Sequence, residues 1–366
     1  MKVVLVYDRI NKFGGAERIL LALHEIFPSA PLYTAVYDEK KAPWAKIFSQ
    51  INPSFLQKFP LAKSHHELYP YLMPLAFETF DFANFDIVIS VTSEAAKGII
   101  TRPPTVHISY ILTPTRYIWS GEKDYLQNPG FGPIDPLLKL LLPTLFAKLR
   151  PIDYILAHRP DKLIAISNNV MNRIKKYYHR DADVLYPPID TDFFRPKLRK
   201  IRTNYFLLVS RLVPYKRVDV AIQAFNRLKY KLVIIGTGSE KDRLKKLANK
   251  NIQFVGSLTD EKLLGYYQDC IALIFTSDED LGLVPIEAQS CGKPVVALKG
   301  GGALETVIEG NTGEFYDKQV PDSLTKTINR FLKKSYSPDD CRNNALRFNK
   351  ERFKKEFSIM IKKIKI

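Results

Sequence analysis

The stretch 277–296, SDEDLGLVPIEAQSCGKPVV, gathers four carboxylates, Asp278, Glu279, Asp280 and Glu287, around one glycine and one proline. Three chemistries suit it. Asp278, Glu279 and Asp280 could hold a cation, Glu279 and Glu287 could form an acid/base pair, or the whole could be a solvated turn ahead of a helix. A second cluster is basic: VSRLVPYKRVDVAIQAF sets Arg211 and Lys216 between an apolar run and an amphipathic pattern. At the end of a strand, a guanidinium fork and an ammonium point charge suit a diphosphate.

Glycines mark three further loops. Gly14 and Gly15, in DRINKFGGAERILLAL, would let the backbone approach a ligand just where a helix start offers N–H groups to an anion. The GxGxxG spacing of a dinucleotide site is absent, and a tight turn without a ligand fits equally. Gly236 and Gly238 in IIGTGSEKDRLKKLA lack a third glycine and the acidic residue after a second strand, which argues against a nicotinamide site. Gly256, in FVGSLTDEKLLGYY, ends another strand and suits a wall beside a nucleobase or a plain turn.

The elements that must position these residues alternate along the chain. Strands are expected at 2–7, 85–90, 205–210, 231–236, 252–256, 271–276 and 294–298, with helices at 16–25, 218–229, 239–249, 260–268 and 285–290. β-branched runs followed by helical patterns predict parallel sheets with crossover helices, an α/β fold of two Rossmann-like domains. Their ligands belong in a cleft at the carboxyl ends of the strands. In this frame the 278–282 loop follows strand 271–276, Pro285 suits the first turn of a short helix, and Gly292 closes it. The amides near Gly282 and Leu283 would face a phosphate. A carboxylate beside a phosphate is repelled, so Glu279 and Glu287 are expected to accept hydrogen bonds from hydroxyls, which sugars supply.

Length and composition bound the rest. At 366 residues the chain suits two domains, and VLYPPIDTDFFRPKLRKIR (184–202), with three prolines and a basic run, marks the linker. The expected division is 1–190 and 191–344, with a C-terminal helix at 345–366 returning to the first domain. A formal charge of +17 favours an anionic partner such as nucleotide, phospholipid or nucleic acid. Cys270, Cys291 and Cys341 are scattered and form no CxxC pair, which points to a reducing compartment and away from a disulfide scaffold or structural zinc. The N-terminal apolar run, Val3 to Tyr7, is too short for a signal-peptide core. No segment approaches the roughly 20 apolar residues that span a bilayer, so a soluble or peripheral protein is expected. Two segments stand apart. PIDPLLKLLLPTLFAKLRPIDYIL (133–156) is apolar and basic and reads as a core helix broken at Pro143 or as a membrane-surface contact. FNKERFKKEFSIMIKKIKI (348–366) reads as a packed amphipathic helix whose lysine face also suits an anionic membrane.

SRLVPYKRVDVAIQAF, IIGTGSEKDRLKKLA, VGSLTDEKLLGYY and EDLGLVPIEAQSCGKPVVALKGGGALETVIEGNTGEFY, in this order, resemble glycosyltransferase family 4, retaining nucleotide-sugar-dependent enzymes of GT-B fold. The resemblance rests above all on the Glu-x7-Glu pair, Glu279 and Glu287. With GGAE (14–17), SYILTPTRYIWS (109–120), RIKKYYHRDADVLYPPID and FNKERFKKEF it extends to O-antigen type mannosyltransferases. It implies that Arg211 and Lys216 hold the donor diphosphate, that Glu279 touches the transferred sugar, that the Gly282 and Leu283 amides meet phosphate and that Glu287 grips the ribose. Gly14 and Gly15 would admit the diphosphate and acceptor, with Gly236 and Gly256 beside the donor. Thr113, Arg116, Tyr117 and Trp119 are candidates for acceptor or sugar contact. The resemblance further implies no metal and no cofactor beyond the nucleotide-sugar co-substrate, GDP-mannose by subfamily likeness, and a polyprenyl-linked or oligosaccharide acceptor. Location is expected in the cytoplasm, against the inner face of the cell membrane.

One departure is Leu112, where many relatives carry histidine before Thr-Pro-x-Arg-Tyr; His107, five residues earlier, reads as a core histidine. Competing readings differ in testable ways. A glycoside hydrolase would not need the cationic loop. A metal-dependent transferase would use Asp278 and Asp280 although Arg211 and Lys216 already supply the charge. A sugar-nucleotide epimerase would lack an acceptor site, and a non-catalytic sensor would bind nucleotide without turnover. No nucleic-acid reader motif is present.

Overall fold

Buried strands alternate with amphipathic helices along the whole chain, and the order of the strands in each sheet fixes where the candidate residues emerge. The computed structural model describes residues 1–129, 132, 135–197 and 204–363. The basic run of the linker at 198–203, positions 133–134 of the apolar–basic segment and the last three residues of the C-terminal stretch lie outside the described residues.

The chain divides into two units: Met1–Pro188 joined by the chain from Glu351 onward, and Ile189–Lys350. The first contains, in order, β1 (Val3–Tyr7), α1 (Gly15–Ile26), β2 (Leu32–Thr34), β3 (Ile51–Pro53), α2 (Leu72–Glu78), β4 (Ile87–Thr92), β5 (Val106–Ile111), α3 (Glu122–Gln127), α4 (Asp135–Leu156), β6 (Lys162–Ala165), α5 (Asn168–Tyr178) and β7 (Asp183–Val184). The second contains β8 (Tyr205–Val209), α6 (Val218–Leu228), β9 (Lys231–Ile235), α7 (Lys241–Leu247), β10 (Ile252–Gly256), α8 (Asp260–Asp269), β11 (Leu273–Phe275), α9 (Leu283–Ser290), β12 (Val295–Leu298), α10 (Ala303–Thr306), β13 (Gly313–Tyr316), α11 (Pro321–Phe331) and α12 (Pro338–Leu346). The last helix, α13 (Lys350–Lys362), buries Phe353, Phe357 and Ile361 in the first unit. Ala345 and Phe348 stay with the second unit, where the Phe348 carbonyl accepts the Ile189 amide at 2.8 Å.

All strand pairs in both sheets are parallel, and the order of strand addition reverses once in each. The first runs β3-β2-β1-β4-β5-β6-β7 and the second β10-β9-β8-β11-β12-β13. The expectation of two Rossmann-like α/β domains is met. Each sheet therefore has a switch point, between β1 and β4 and between β8 and β11, where adjacent loops leave in opposite directions and open a crevice. Strands such as β1, β4 and β12 are buried along their whole length, because helices cover both faces of a parallel sheet.

The apolar–basic segment departs from expectation. α4 continues through Pro143 and Pro151, and only one side of it, with Phe146, Leu149, Asp153 and Leu156, is buried. The prolines lie on the exposed side, where the carbonyls left unbonded four residues earlier meet solvent and the helix survives.

Candidate functional site

At the switch point of the second sheet, the loop after β8 and the loop after β11 meet through one ion pair. Lys216, 6% exposed, closes a short turn at Pro214–Lys216 and donates to the Glu279 carboxylate, which also accepts from the Ser277 hydroxyl at 2.9 Å. The main chain at Lys216 is fixed as well: its carbonyl accepts from the Thr276 hydroxyl at 2.8 Å, and the Thr276 carbonyl accepts from Gln319 at 2.7 Å. Arg211 is exposed at the mouth, its guanidinium over the Tyr215 ring and bonded to the Tyr215 hydroxyl; the Lys216 ammonium lies 5.0 Å from the same ring centre. Tyr215 thus spaces two cations along one edge of the crevice.

The carboxylate loop is braced from behind. At Gly301 (φ +52°) any β-carbon would collide with the Asp278 carboxylate and the Glu279 carbonyl, and the Gly302 amide donates to that carbonyl at 2.8 Å. The glycine triplet 300–302 thus presses the 278–281 loop into place. Gly282 then caps α9, which starts at Leu283, two residues before the expected start, and lacks a side-chain cap. Its first amides are donors without intrahelical partners, next to two cations, which is an anion site by geometry. Glu287 lies one turn further in, 5% exposed, and accepts from the Tyr267 hydroxyl of α8 at 2.7 Å. Arg211, Lys216, Glu279, Gly282, Leu283 and Glu287 are therefore brought to one sheet edge. Asp278 and Asp280 each have an interaction partner in the structure, and among the described residues no three His, Cys, Asp or Glu side chains converge as metal ligands.

Gly236 and Gly256 have a structural cause. A β-carbon at Gly236 would strike the Ser210 carbonyl, so the residue is small because β9 and the end of β8 run against each other there. The Gly256 carbonyl accepts the Gly236 amide at 2.8 Å, tying the neighbouring strand end to the same place.

The first unit holds a cluster that the sequence reading passed over. Asp8, 1% exposed at the end of β1, accepts from the Thr92 hydroxyl at 2.8 Å and from the amides of Ser93, Glu94 and Ala96 at 2.7, 3.1 and 2.9 Å. Arg9 pairs with Glu94 at 2.8 Å, and His66 Nε2 lies 3.6 Å from the same carboxylate. Burial opposes ionisation of Glu94, but Arg9 with His66 and Lys97 overrides it and holds the carboxyl at about 2. Gly14 caps α1, Gly15 opens it, and the Glu17 carboxylate in its first turn accepts from Tyr7 at 2.6 Å. In this crevice the β4-loop amides that would otherwise meet an anion are spent on Asp8, and Arg9 is spent on Glu94. The crevice suits hydroxyls rather than phosphate. The rule that ligands meet strand ends would have flagged Asp8, Arg9 and Glu94.

The four predicted contact residues sit beyond β5. Trp119 donates its indole N–H to Asp153 at 2.7 Å and stacks on Tyr177. Tyr117 packs in a small core with Ile118, Phe146 and Leu149. Thr113 is buried, its hydroxyl donating to the Pro114 carbonyl at 3.3 Å, and Arg116 folds against Gly121. Packing thus accounts for Tyr117, while Trp119 is half-buried and also lines an open pocket with Arg150, Tyr154 and Tyr177. His107 lies inside β5, as the sequence reading has it.

With this geometry in place, similarity to known proteins can be read. Residues 190–348 match the family Glycosyl transferases group 1, so the second unit carries a domain of that family. A GDP-mannose-dependent alpha-(1-6)-phosphatidylinositol monomannoside mannosyltransferase of Mycolicibacterium smegmatis is 32% identical over 178 residues, covering 40% of this chain and 46% of that protein. The chain spans about half the length of the curated relatives it matches. Among solved structures, Anabaena HepE in complex with UDP superposes with a TM-score of 0.73 at 19% identity over 100% of both chains. Sucrose-phosphate synthase of Thermosynechococcus elongatus gives 0.75 at 16% identity, over 99% of this chain and 98% of that one. The fold is that of GT-B glycosyltransferases. Among the described residues no helix is long and apolar enough to cross a membrane.

Proposed function

We propose that the protein is a retaining, metal-independent glycosyltransferase that moves a hexose, mannose from GDP-mannose, to a polyprenyl-linked or oligosaccharide acceptor at the cytoplasmic face of the cell membrane. The observation that carries the reading is the Lys216–Glu279 pair beside Arg211 and the uncapped start of α9. Cations and helix amides take the diphosphate, and a carboxylate one loop away takes sugar hydroxyls. Glu287, held by Tyr267, takes the ribose. Gly14 and Gly15 leave the backbone after β1 open to a ligand, and Arg9 and Glu94 orient acceptor hydroxyls.

In the reaction the bond from the sugar anomeric carbon to the diphosphate oxygen breaks, and the acceptor oxygen bonds to that carbon on the same face. The acceptor proton passes to the departing phosphate. Arg211 and Lys216 neutralise the charge that grows on the leaving group, a role that metal fills elsewhere. The mannosyl donor is favoured by the mycobacterial relative, whose name specifies GDP-mannose. A UDP-sugar is the second reading, favoured by the full-length fold match to a protein described with UDP.

The test is transfer from a panel of GDP- and UDP-sugars with chelator present, followed by product analysis. Glu279→Ala is expected to lower transfer at least about 100-fold while nucleotide still binds, and Lys216→Ala to weaken nucleotide binding. Unchanged transfer by Glu279→Ala would remove the assignment. Complete dependence on added divalent metal would overturn metal independence, and nucleotide binding without turnover on any donor would favour a sensor.

A further inference from the structure

The candidate site makes no use of the outer face of α4 in the first unit. The helix is fastened through Phe146 and Leu149, which pack with Ile118, and through Asp153, so its orientation is set by the core. Its opposite side is open: Leu137, Leu140, Leu141 and Ile155 are 58%, 75%, 52% and 58% exposed. With Thr144, Lys148 and Pro151, all exposed, they recur every three or four residues, Leu140 and Leu141 side by side, along a single side of the helix. A solitary exposed leucine is ordinary, but a row of them down one anchored helix is not.

Charge decides what covers this row. Lys148 lies within it, and both carboxylates of the helix lie elsewhere: Asp135 begins the first turn and Asp153 is buried. Glu122 of α3, which packs beside α4, is paired with Arg150. The outer face is therefore aliphatic and cationic with no carboxylate of its own. A protein interface core favours aromatic residues and arginine and is depleted in lysine, whereas exposed leucines with a lysine among them suit a helix lying in the plane of an anionic bilayer, with aliphatic side chains below the headgroups and the lysine stem carrying its ammonium up to them. The chain's formal charge of +17 acts in the same direction.

We infer that α4 is a membrane-docking helix that seats Leu137, Leu140 and Leu141 in an anionic lipid surface with the Lys148 ammonium at headgroup level. The inference rests on the exposure of α4 and not on the donor chemistry. The experiment is co-sedimentation of the full chain with large unilamellar vesicles of phosphatidylglycerol and phosphatidylcholine, and with phosphatidylcholine alone. Wild type is expected to bind the anionic vesicles and to be released by salt. Leu137→Ser/Leu140→Ser/Leu141→Ser is expected to lower the partition coefficient at least about tenfold, with Lys148→Glu losing mainly the preference for anionic lipid. Because these side chains are exposed, melting temperature and transfer to a soluble acceptor are expected to stay unchanged, which separates loss of docking from loss of fold or of the transferase reading. Equal vesicle binding by wild type and the triple serine variant would overturn the inference. So would a wild-type dimer in light scattering that the serine variant converts to monomer, since a second copy would then cover the face.

Discussion

His107 shows how a polar side chain inside a parallel sheet sets a pH limit. Its ring is fully buried in β5, with Nε2 2.8 Å from the Ser90 hydroxyl, and Ser90 in turn donates to Ser109 at 2.8 Å. That arrangement makes Nε2 the protonated nitrogen, and Nδ1 has no hydrogen-bond partner among the described residues. A second proton would bury an unpaired charge, and burial, aided by the positive charge of Arg180, holds the ring at about 3 instead of the usual 6.5. The sign follows from proton binding. Above pH 6.5 the ring is neutral in folded and unfolded chains alike and contributes no pH dependence. Between pH 6.5 and about 3 only the unfolded chain gains the proton, so stability falls by about 1.4 kcal/mol per pH unit from this residue. Urea unfolding at pH 7 and pH 5.5 is expected to show His107→Gln losing about 1.4 kcal/mol less than wild type; equal losses would mean that the ring is charged in the native state. The inward fate of His107 was legible from its place in an apolar run, and Lys216 and Glu279 were legible from their places after strands. Tyr117 and Trp119 were not, because an aromatic side chain reads the same whether it faces a ligand or a core.

At the scale of elements, loops after β4 and β5 are pinned to α4 and α5 by one buried carboxylate. Asp153 accepts from the Lys97 ammonium, the Thr115 hydroxyl, the Trp119 indole and the Tyr178 hydroxyl at 2.7, 2.6, 2.7 and 2.7 Å. Lys97, 1% exposed, also bonds the Glu94 carbonyl and so fastens the loop that carries the Arg9–Glu94 pair. Removing either partner leaves an uncompensated charge, so Lys97→Met and Asp153→Asn are each expected to cost about 3–5 kcal/mol, with the double variant costing at least about 2 kcal/mol less than their sum. A double-mutant cycle by denaturant unfolding measures this; additive costs would show that the two charges do not act on one another. β1, β4 and β8 to β12 were legible as apolar, β-branched runs, whereas β5, β6 and β13 carry His107 and Ser109, Lys162, and Gly313 and Glu314, and none of these three is among the strand ranges expected from sequence. β2, β3 and β7, with three, three and two residues, are too short to show a period, and their pairing comes from neighbours. α4 was misjudged at its prolines because the penalty for an interior proline depends on which side of the helix it occupies, which an unfolded string of residues does not reveal.

For the molecule as a whole, the strongest structural dependence runs from the last helix back to the first unit. α13 buries Phe353, Phe357 and Ile361 there; Phe353 meets the Tyr110 ring edge-on at 6.1 Å and Phe357 meets Phe27 at 6.5 Å. Arg352 donates to the Tyr186 carbonyl at 2.8 Å, and Lys354 pairs with Glu25 at 3.1 Å. Three large side chains at about 1.5–3 kcal/mol each approach the whole stability of an ordinary domain, about 5–15 kcal/mol. The exposed ion pair adds little. Ending the chain after Lys350 would uncover Phe27 and leave Tyr110 short of a packing partner, while the second unit, Ile189–Lys350, keeps all its own residues. Calorimetry of the shortened chain is therefore expected to show the first unit's transition lost or lowered by well over ten degrees, the second unit's transition unmoved, and nucleotide binding by the second unit retained. Phe353→Ala/Phe357→Ala should reproduce the effect in weaker form. If both transitions fell together the two units would share one cooperative core, and if neither moved the buried face of α13 would contribute no stability.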